Sequence, residues 1–151
     1  MIYRHYGTTA DKFRIDHIYE GAGLYKPKGL WACPEYAIDE WKDWCEGEDY
    51  KVDFLSEHFD FTLKPETKIL RIKDVSDILP YCKSDDIAHP CFCYTDPTID
   101  KILDLEKIYR EFDGMEVDMR SGWSLFHDSK LFYTWDVSSI VIWYLSRIIP
   151  V

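Results

Sequence analysis

The chain has 151 residues, of which 46% are hydrophobic and 17% aromatic, and its formal net charge at pH 7 is −10. This length fits one domain whose core is large enough to fold without a disulfide or a metal. The acidic balance argues against broad nucleic-acid binding and against an anionic membrane surface, because both partners need a basic face. No apolar run approaches the ~20 residues that a transmembrane helix requires.

The cysteines predict a reducing compartment. There are five of them, an odd number, and the chain runs directly into a strand pattern without a signal peptide, so we expect free thiols and a cytoplasmic protein. Cys82, His89, Cys91 and Cys93 suggest a metal site only superficially. The pair Cys91-x-Cys93 is tighter than the usual spacing of zinc ligands, and no second pair follows, so we predict no metal.

In the first part of the chain, local patterns predict two short strands and a helix. Residues 2–6 read as a strand, residues 10–23 as a loop or frayed helix, and residues 29–33 as a second strand. Apolar residues at helical spacing then predict an amphipathic helix over 35–46, with Pro34 in its first turn.

The middle of the chain predicts a hairpin followed by a long loop. Residues 53–63 and 68–72 carry alternating apolar side chains, and the intervening Lys64-Pro65-Glu66-Thr67 is a turn signal. Residues 81–98 have turn signals and no periodicity, and long loops of this kind in compact domains are often functional.

Capping signals predict two further helices. Asp74 or Ser76 can cap a short helix that Pro80 ends. Asp104 precedes a run with one apolar helical face, and Gly114 is placed as the glycine that follows the helix C-terminus.

The remaining residues predict the last strands, over 115–118, 131–135 and 140–143, with a turn at 136–138. Runs of strands broken by short helices are typical of an α+β fold with a mainly antiparallel sheet. No linker or repeat divides the chain, so we predict a single domain over 1–151.

Three short motifs together carry a family resemblance. The early His5-Tyr6 pair, the segment Lys26-Pro27-Lys28-Gly29-Leu30-Trp31-Ala32 and the late Thr134-Trp135-Asp136 before a β-branched strand resemble an uncharacterised group of small phage and bacterial proteins with the pattern KPKGLW. That group resembles a remote branch of the ADP-ribosyltransferase fold. The resemblance implies a split, mainly antiparallel sheet with short flanking helices. It also implies a small intracellular ADP-ribosyltransferase or NAD glycohydrolase that uses NAD and acts on a host protein or nucleic acid.

The resemblance also implies which residues would hold NAD. The first core strand of that fold carries a His or Arg that hydrogen-bonds the ribose beside the nicotinamide, so His5 takes that role, with Arg4 as the alternative and Tyr6 next to it. Gly29 lets the backbone approach a ligand closely, and Trp31 can stack on a flat ring. We therefore expect His5 and Trp31 to line one cleft, although a structural histidine and a core tryptophan are the simpler interpretations of each.

A carboxylate is the remaining requirement, because loss of nicotinamide leaves positive charge on the ribose. The fold places a Glu just before or within a late strand. Asp128, upstream of the predicted strand 131–135, is the preferred candidate. Glu116 is the second, although it shares an apparently solvent-facing row with Asp118. Asp136 is the third, and its position suits a turn or cap.

A non-enzymatic protein is the alternative. Ala32 stands where the family usually has a Ser, and no Glu precedes the predicted late strand. Both departures favour an acidic binding protein, in which the same cleft holds a nucleotide-like ligand or the acidic face blocks a basic host protein.

Overall fold

A seven-stranded sheet organises the chain, whose computed structural model describes residues 1–14, 20, 26–85, 96, 98–120, 122, 126, 128–132 and 134–151. The order in this sheet is β4-β7-β8-β2-β1-β3-β9, and β5 pairs with β6 in a separate ribbon. Only β4 and β7 run parallel among the described pairs. The predicted α+β class with a mainly antiparallel sheet is thus confirmed. The strands are β1 (Tyr3–Tyr6), β2 (Leu30–Pro34), β3 (His58–Leu63), β4 (Ile69–Ile72), β5 (Cys82–Ser84), β6 (Lys101–Leu103), β7 (Gly114–Val117), β8 (Ser139–Ile142) and β9 (Ile148–Pro150).

Three short α-helices flank the sheet: α1 (Ile38–Gly47), α2 (Val75–Ile78) and α3 (Leu105–Glu111). The predicted caps are confirmed. The Asp74 carboxylate accepts from the Ser76 backbone N–H in a capping box with Asp77, and the Asp104 carboxylate accepts from the backbone N–H of Lys107. Single 3₁₀ turns occupy Glu35–Ala37, Val52–Ser56, Leu79–Tyr81 and Leu145–Arg147. Within the described part of the chain, no helix is long and apolar enough to cross a membrane.

The predicted hairpin is wrong. Both of its strands form, but β3 pairs with β1 and β9, whereas β4 lies at the opposite edge of the sheet and pairs with β7. Side-chain alternation specifies a strand but not its neighbour. Packing decides the neighbour, because Phe59 and Phe61 of β3 share a core cluster with Tyr3 of β1, whereas Ile72 of β4 packs with Met115 and Val117 of β7.

Three local predictions also need correction. Pro34 is the last residue of β2, not part of a first helical turn. The predicted loop 81–98 contains β5 at its start, and residues 86–95 and 97 lie outside the described residues. The strand predicted over 131–135 is wrong, because none of its described residues (131, 132, 134 and 135) lies in a strand. Leu131, Phe132 and Trp135 are nevertheless buried in the core, so their apolar character reflects packing of a turn segment.

Two glycines allow close approach to β8, one from each neighbouring strand. Gly114 begins β7 rather than ending α3, and a Cβ there would lie 2.6 Å from Ile142 Cδ1 and 2.7 Å from the Val141 carbonyl oxygen. Gly29, immediately before β2, has a φ of +144°, and a Cβ there would lie 2.6 Å from the Ile142 carbonyl oxygen. Both positions therefore require glycine for steric reasons.

A buried ion pair ties the β5–β6 ribbon to the turn segment before residue 132. Lys130 and Asp85 form this pair, with side-chain exposures of 0% and 3%. The Lys130 ammonium also donates to the Ile99 carbonyl, and its backbone N–H donates to the Asp96 carboxylate. Because both charged side chains are buried away from water, each needs the opposite charge of the other to offset its cost of desolvation.

We expect Gly114→Ala to destabilise the fold by about 1–3 kcal/mol, because the added methyl group has no space between β7 and β8. Gly47→Ala is the matched control, since a Cβ at Gly47 has nothing within 4 Å. Urea unfolding of the two variants measures the difference. Equal stability of both variants would show that the strands are not packed this closely.

We expect Lys130→Met to cost about 3–5 kcal/mol, because it removes the ammonium group that compensates the buried Asp85 carboxylate. The double variant Lys130→Met/Asp85→Leu should recover part of that loss. Chemical unfolding of both proteins tests the pair, and a single variant as stable as the wild type would mean that the two side chains are solvated.

Candidate functional site

The central feature is an exchange of partners along β2. Residues Leu30 to Ala32 pair with β8, whereas Cys33 and Pro34 pair with Arg4 and Tyr3 of β1. Continuing the second register would place His5 opposite Ala32 and Tyr6 opposite Trp31, but the described pairing ends before them. The two strands separate at this point, and His5 Nδ1 lies 2.7 Å from the Trp31 carbonyl oxygen, where it replaces a backbone partner.

A cavity of about 330 Å³ lies where β1 and β2 separate. This volume is at the lower end of the range for small-molecule sites. Residues of α1 and of the 3₁₀ turn Val52–Ser56 form its upper wall, and the residues that lead into β8 form the opposite wall. Aromatic side chains dominate the lining: Tyr6, Trp31, Trp41, Tyr50, Phe54 and Trp135.

The charge inside the cavity opposes the charge of the protein. Arg4, Lys26 and Lys51 line it together with His5, and Asp136 is the one carboxylate among the described lining residues. Both nitrogens of the Arg4 fork donate to Asp60 at 2.8 Å, so this guanidinium is already paired. Cations among aromatic walls favour a ligand that is anionic and contains a planar ring.

Lys26 is the most enclosed of these cations. Its Nζ lies 4.7 Å from the centre of the Trp31 ring and 3.5 Å from the Thr134 carbonyl oxygen. Burial lowers the pKa of Lys26, and the nearby Asp136 carboxylate acts in the opposite direction. The charges of Lys26 and Asp136 therefore interact electrostatically.

His5 and Trp31 border the cavity from opposite faces of the sheet. The His5 ring lies 5.4 Å from Phe59, in the cluster on one face, whereas the Trp31 ring lies 4.5 Å from Trp135, in the cluster on the other face. The Trp31 indole N–H donates to the Pro27 carbonyl at 3.1 Å. Both residues line the cavity, but their side chains lie on opposite faces of the sheet, so the NAD site in which His5 and Trp31 act together is not formed.

The candidate carboxylates separate clearly in space. Asp136 lines the cavity and immediately precedes the segment that leads into β8. Asp128 is exposed and is not among the lining residues, and the strand that made it the preferred candidate is absent. The positional argument for a carboxylate before a late strand therefore applies to Asp136 rather than Asp128.

Glu116 is buried as part of a structural cluster outside the cavity lining, and the prediction that it faces solvent is wrong. It is 4% exposed. It accepts hydrogen bonds from the phenols of Tyr3 at 3.1 Å and Tyr36 at 3.0 Å, and it pairs with Arg71. Arg71 lies on β4, on one side of β7 in the strand order, whereas Tyr3 on β1 and Tyr36 after β2 lie on the other side. Glu116 therefore links strands from both directions along the sheet.

The remaining predicted contacts divide between the cavity and the fold. Arg4 and Tyr6 line the cavity, whereas Gly29 does not and serves the close approach to β8. Two thiols also line it, but burial raises the pKa of Cys33 to about 12, which leaves it protonated and unsuited as a nucleophile near neutral pH. His89, Cys91 and Cys93 lie outside the described residues.

Sequence reasoning missed the upper wall of the cavity. Trp41 belongs to a helical pattern that is equally typical of a core face, and Tyr50 and Phe54 follow the helix without periodicity. The exposure of 51% for Phe54 and 41% for Tyr50 distinguishes them from core residues. Only the aromatic surplus of the composition pointed to such residues.

Comparison with models of protein families, with curated proteins and with solved structures finds no match to this chain. The resemblance to the KPKGLW group and to ADP-ribosyltransferases therefore stays a prediction based on the motifs themselves.

The Glu116 cluster predicts a change of stability at alkaline pH. Burial, reinforced by the Glu116 charge, raises the pKa of Tyr3 to about 12, above the ordinary value of ~10 in the unfolded chain. The contribution of Tyr3 is thus fully present below pH ~10 and is lost as the pH rises towards 12, at up to about 1.4 kcal/mol per pH unit.

Tyr3→Phe should remove this part of the decline in the free energy of unfolding, which urea titrations at several pH values would measure. Tyr144→Phe, which alters a tyrosine that is 48% exposed, is the control. An unchanged alkaline slope in Tyr3→Phe would contradict the buried Tyr3–Glu116 contact.

Proposed function

We propose that the protein is an NAD-using enzyme, an ADP-ribosyltransferase or NAD glycohydrolase, and that the cavity between β1 and β2 holds its substrate. The observation that carries the proposal is the cavity itself. It opens where two central strands separate, and it combines aromatic walls, enclosed cations and a single described carboxylate.

The lining suits the parts of a dinucleotide. Tyr6 and Trp41 offer ring surfaces for a planar base, and Lys26 and Lys51 offer positive charge for phosphate. Because the Arg4 guanidinium already pairs with Asp60, Lys26 and Lys51 are the cations that would meet an anionic ligand. The split between β1 and β2 agrees with the split sheet that the resemblance implies.

Asp136 takes the electrostatic role in this proposal. When the bond between ribose and nicotinamide breaks, its electron pair goes to the ring nitrogen, and positive charge develops on the ribose. A fixed carboxylate stabilises that charge until water or an acceptor group bonds to the ribose carbon and releases a proton. The Asp136 carboxylate raises the pKa of Lys26 against the larger effect of burial, so the two charges interact within the cavity.

A binding protein without catalysis is the second candidate. Ala32 lines the cavity and supplies no hydroxyl group, and Trp31 is partly covered by Trp135 and bonded to Pro27. In this alternative the cavity holds a nucleotide-like ligand that is not turned over.

We expect Asp136→Asn to reduce the release of nicotinamide from NAD by about a hundredfold or more, because the amide keeps the shape but removes the charge. Asp128→Asn is the matched control, since Asp128 is exposed and outside the cavity lining. Liquid chromatography of nicotinamide, with and without a cell lysate as the source of acceptor, measures the rate.

Loss of activity in Asp128→Asn with full activity in Asp136→Asn would reverse the assignment. NAD binding by calorimetry without release of nicotinamide would support the binding protein instead. If the protein neither binds NAD nor turns it over, both functions are rejected.

A further inference from the structure

An exposed aromatic surface continues from the cavity to the outside of the protein. The rings of Trp41 and Trp44 stack with their centres 5.2 Å apart, and Tyr50 lies edge-on to Trp44 at 5.4 Å. Beyond them, Val52 is 39% and Phe54 51% exposed. Trp41, Tyr50 and Phe54 also line the cavity, so the surface forms its rim. Adjacent exposed apolar side chains of this size mark an interaction site.

The segment that contains the rim also carries most of the negative charge of the chain. Residues 35–53 contain eight carboxylates and two lysines, a net charge of −6 out of −10 for the chain. All eight carboxylates are exposed. They are Glu35, Asp39, Glu40, Asp43, Glu46, Glu48, Asp49 and Asp53. Helical geometry places Asp39, Asp43 and Glu46 on the outer face of α1, away from Trp41 and Trp44. Glu48, Asp49 and Asp53 follow α1 next to Tyr50 and Phe54 in the sequence and supply the charge of the rim.

We propose that the rim docks a basic segment of a partner protein, one that contains arginines. An Arg guanidinium stacks on Trp or Tyr faces and pairs with carboxylates in the same contact, which matches both properties of the rim. Nucleic acids and anionic lipids carry the wrong charge for this surface.

The protein already uses the same kind of contact within its own fold. The Lys51 ammonium lies 5.3 Å from the Tyr50 ring centre and 5.6 Å from that of Phe54. On a neighbouring part of the surface, the Arg120 guanidinium lies 3.6 Å from the Tyr36 ring centre and pairs with Asp118. The rim rings therefore already contact a cation, and Arg120 shows that a ring and a carboxylate can hold one together.

The division of charge gives the docking surface a role, which rests on the proposed function. An anionic substrate in the cavity and a cationic segment on the rim would meet at the cavity mouth. The partner would then be the acceptor, and a protein rather than a nucleic acid.

Fluorescence anisotropy of labelled peptides, without NAD, tests the docking by itself. The probes are a twelve-residue peptide of alternating Arg and Gly, the same peptide with Glu for Arg, and a single-stranded DNA of similar length. We expect the full-length protein to bind the Arg peptide and neither of the others, with affinity that falls as salt is added.

Two triple variants separate docking from general attraction. Glu48→Gln/Asp49→Asn/Asp53→Asn removes three charges from the rim, whereas Glu106→Gln/Glu111→Gln/Asp128→Asn removes three exposed charges elsewhere. The rim variant should weaken binding about tenfold or more, which corresponds to ~1.4 kcal/mol, and the control less than about threefold. Phe54→Ala should weaken binding without changing the charge.

Equal weakening by the two triple variants would overturn the proposal, because it would mean attraction to net charge alone. Binding of the Glu peptide or the DNA would also overturn it. So would a dimer in light scattering that Phe54→Ala dissociates, since the rim would then dock a second copy. Because no step uses NAD, a failure here is distinct from a failure of the proposed enzyme activity.

Discussion

The structure depends on the way β2 divides its length between two neighbours. Its first residues can pair closely with β8, because Gly29 has no side chain that would clash with Ile142. Its last residues pair with β1. A strand cannot stay paired with two neighbours that diverge, so a gap opens between β1 and β2. At this gap the His5 imidazole, in place of a backbone group, contacts the Trp31 carbonyl oxygen. The cavity is the space that this gap leaves, and the Glu116 cluster ties the two sides together elsewhere.

Charge is separated over a short distance around this gap. Lys26 and Lys51 reach the cavity, while the carboxylates of residues 35–53 face outwards from α1 and the turns around it. The net acidity of the chain therefore describes its outer surface and not its site. The composition excluded nucleic acid as a general partner, but it could not indicate an interior that favours an anion, because net charge carries no information about position.

The sequence predicted the elements that local chemistry determines. The caps at Asp74 and Asp104 form as expected, since each involves residues within one turn. Strand partners that are distant in sequence are not predictable from local patterns, so the alternation in β3 and β4 predicts a hairpin that does not form. Residues 131–135 have the apolar pattern of a strand because Phe132 and Trp135 enter the core. The burial of Glu116 is not predictable from local sequence because its partner Tyr3 lies 113 positions away. The cavity residues were recognised only where a motif marked them, as at His5 and Trp31.

The most direct test of the account is a crystal structure of the full chain grown with NAD, or with ADP-ribose if NAD is consumed. The account predicts density in the cavity between β1 and β2, with the phosphates near Lys26 or Lys51 and a ribose next to Asp136. Density for the ligand at another surface, or no density there at ligand concentrations in the millimolar range, would contradict the claim that the separation of these two strands creates a nucleotide site.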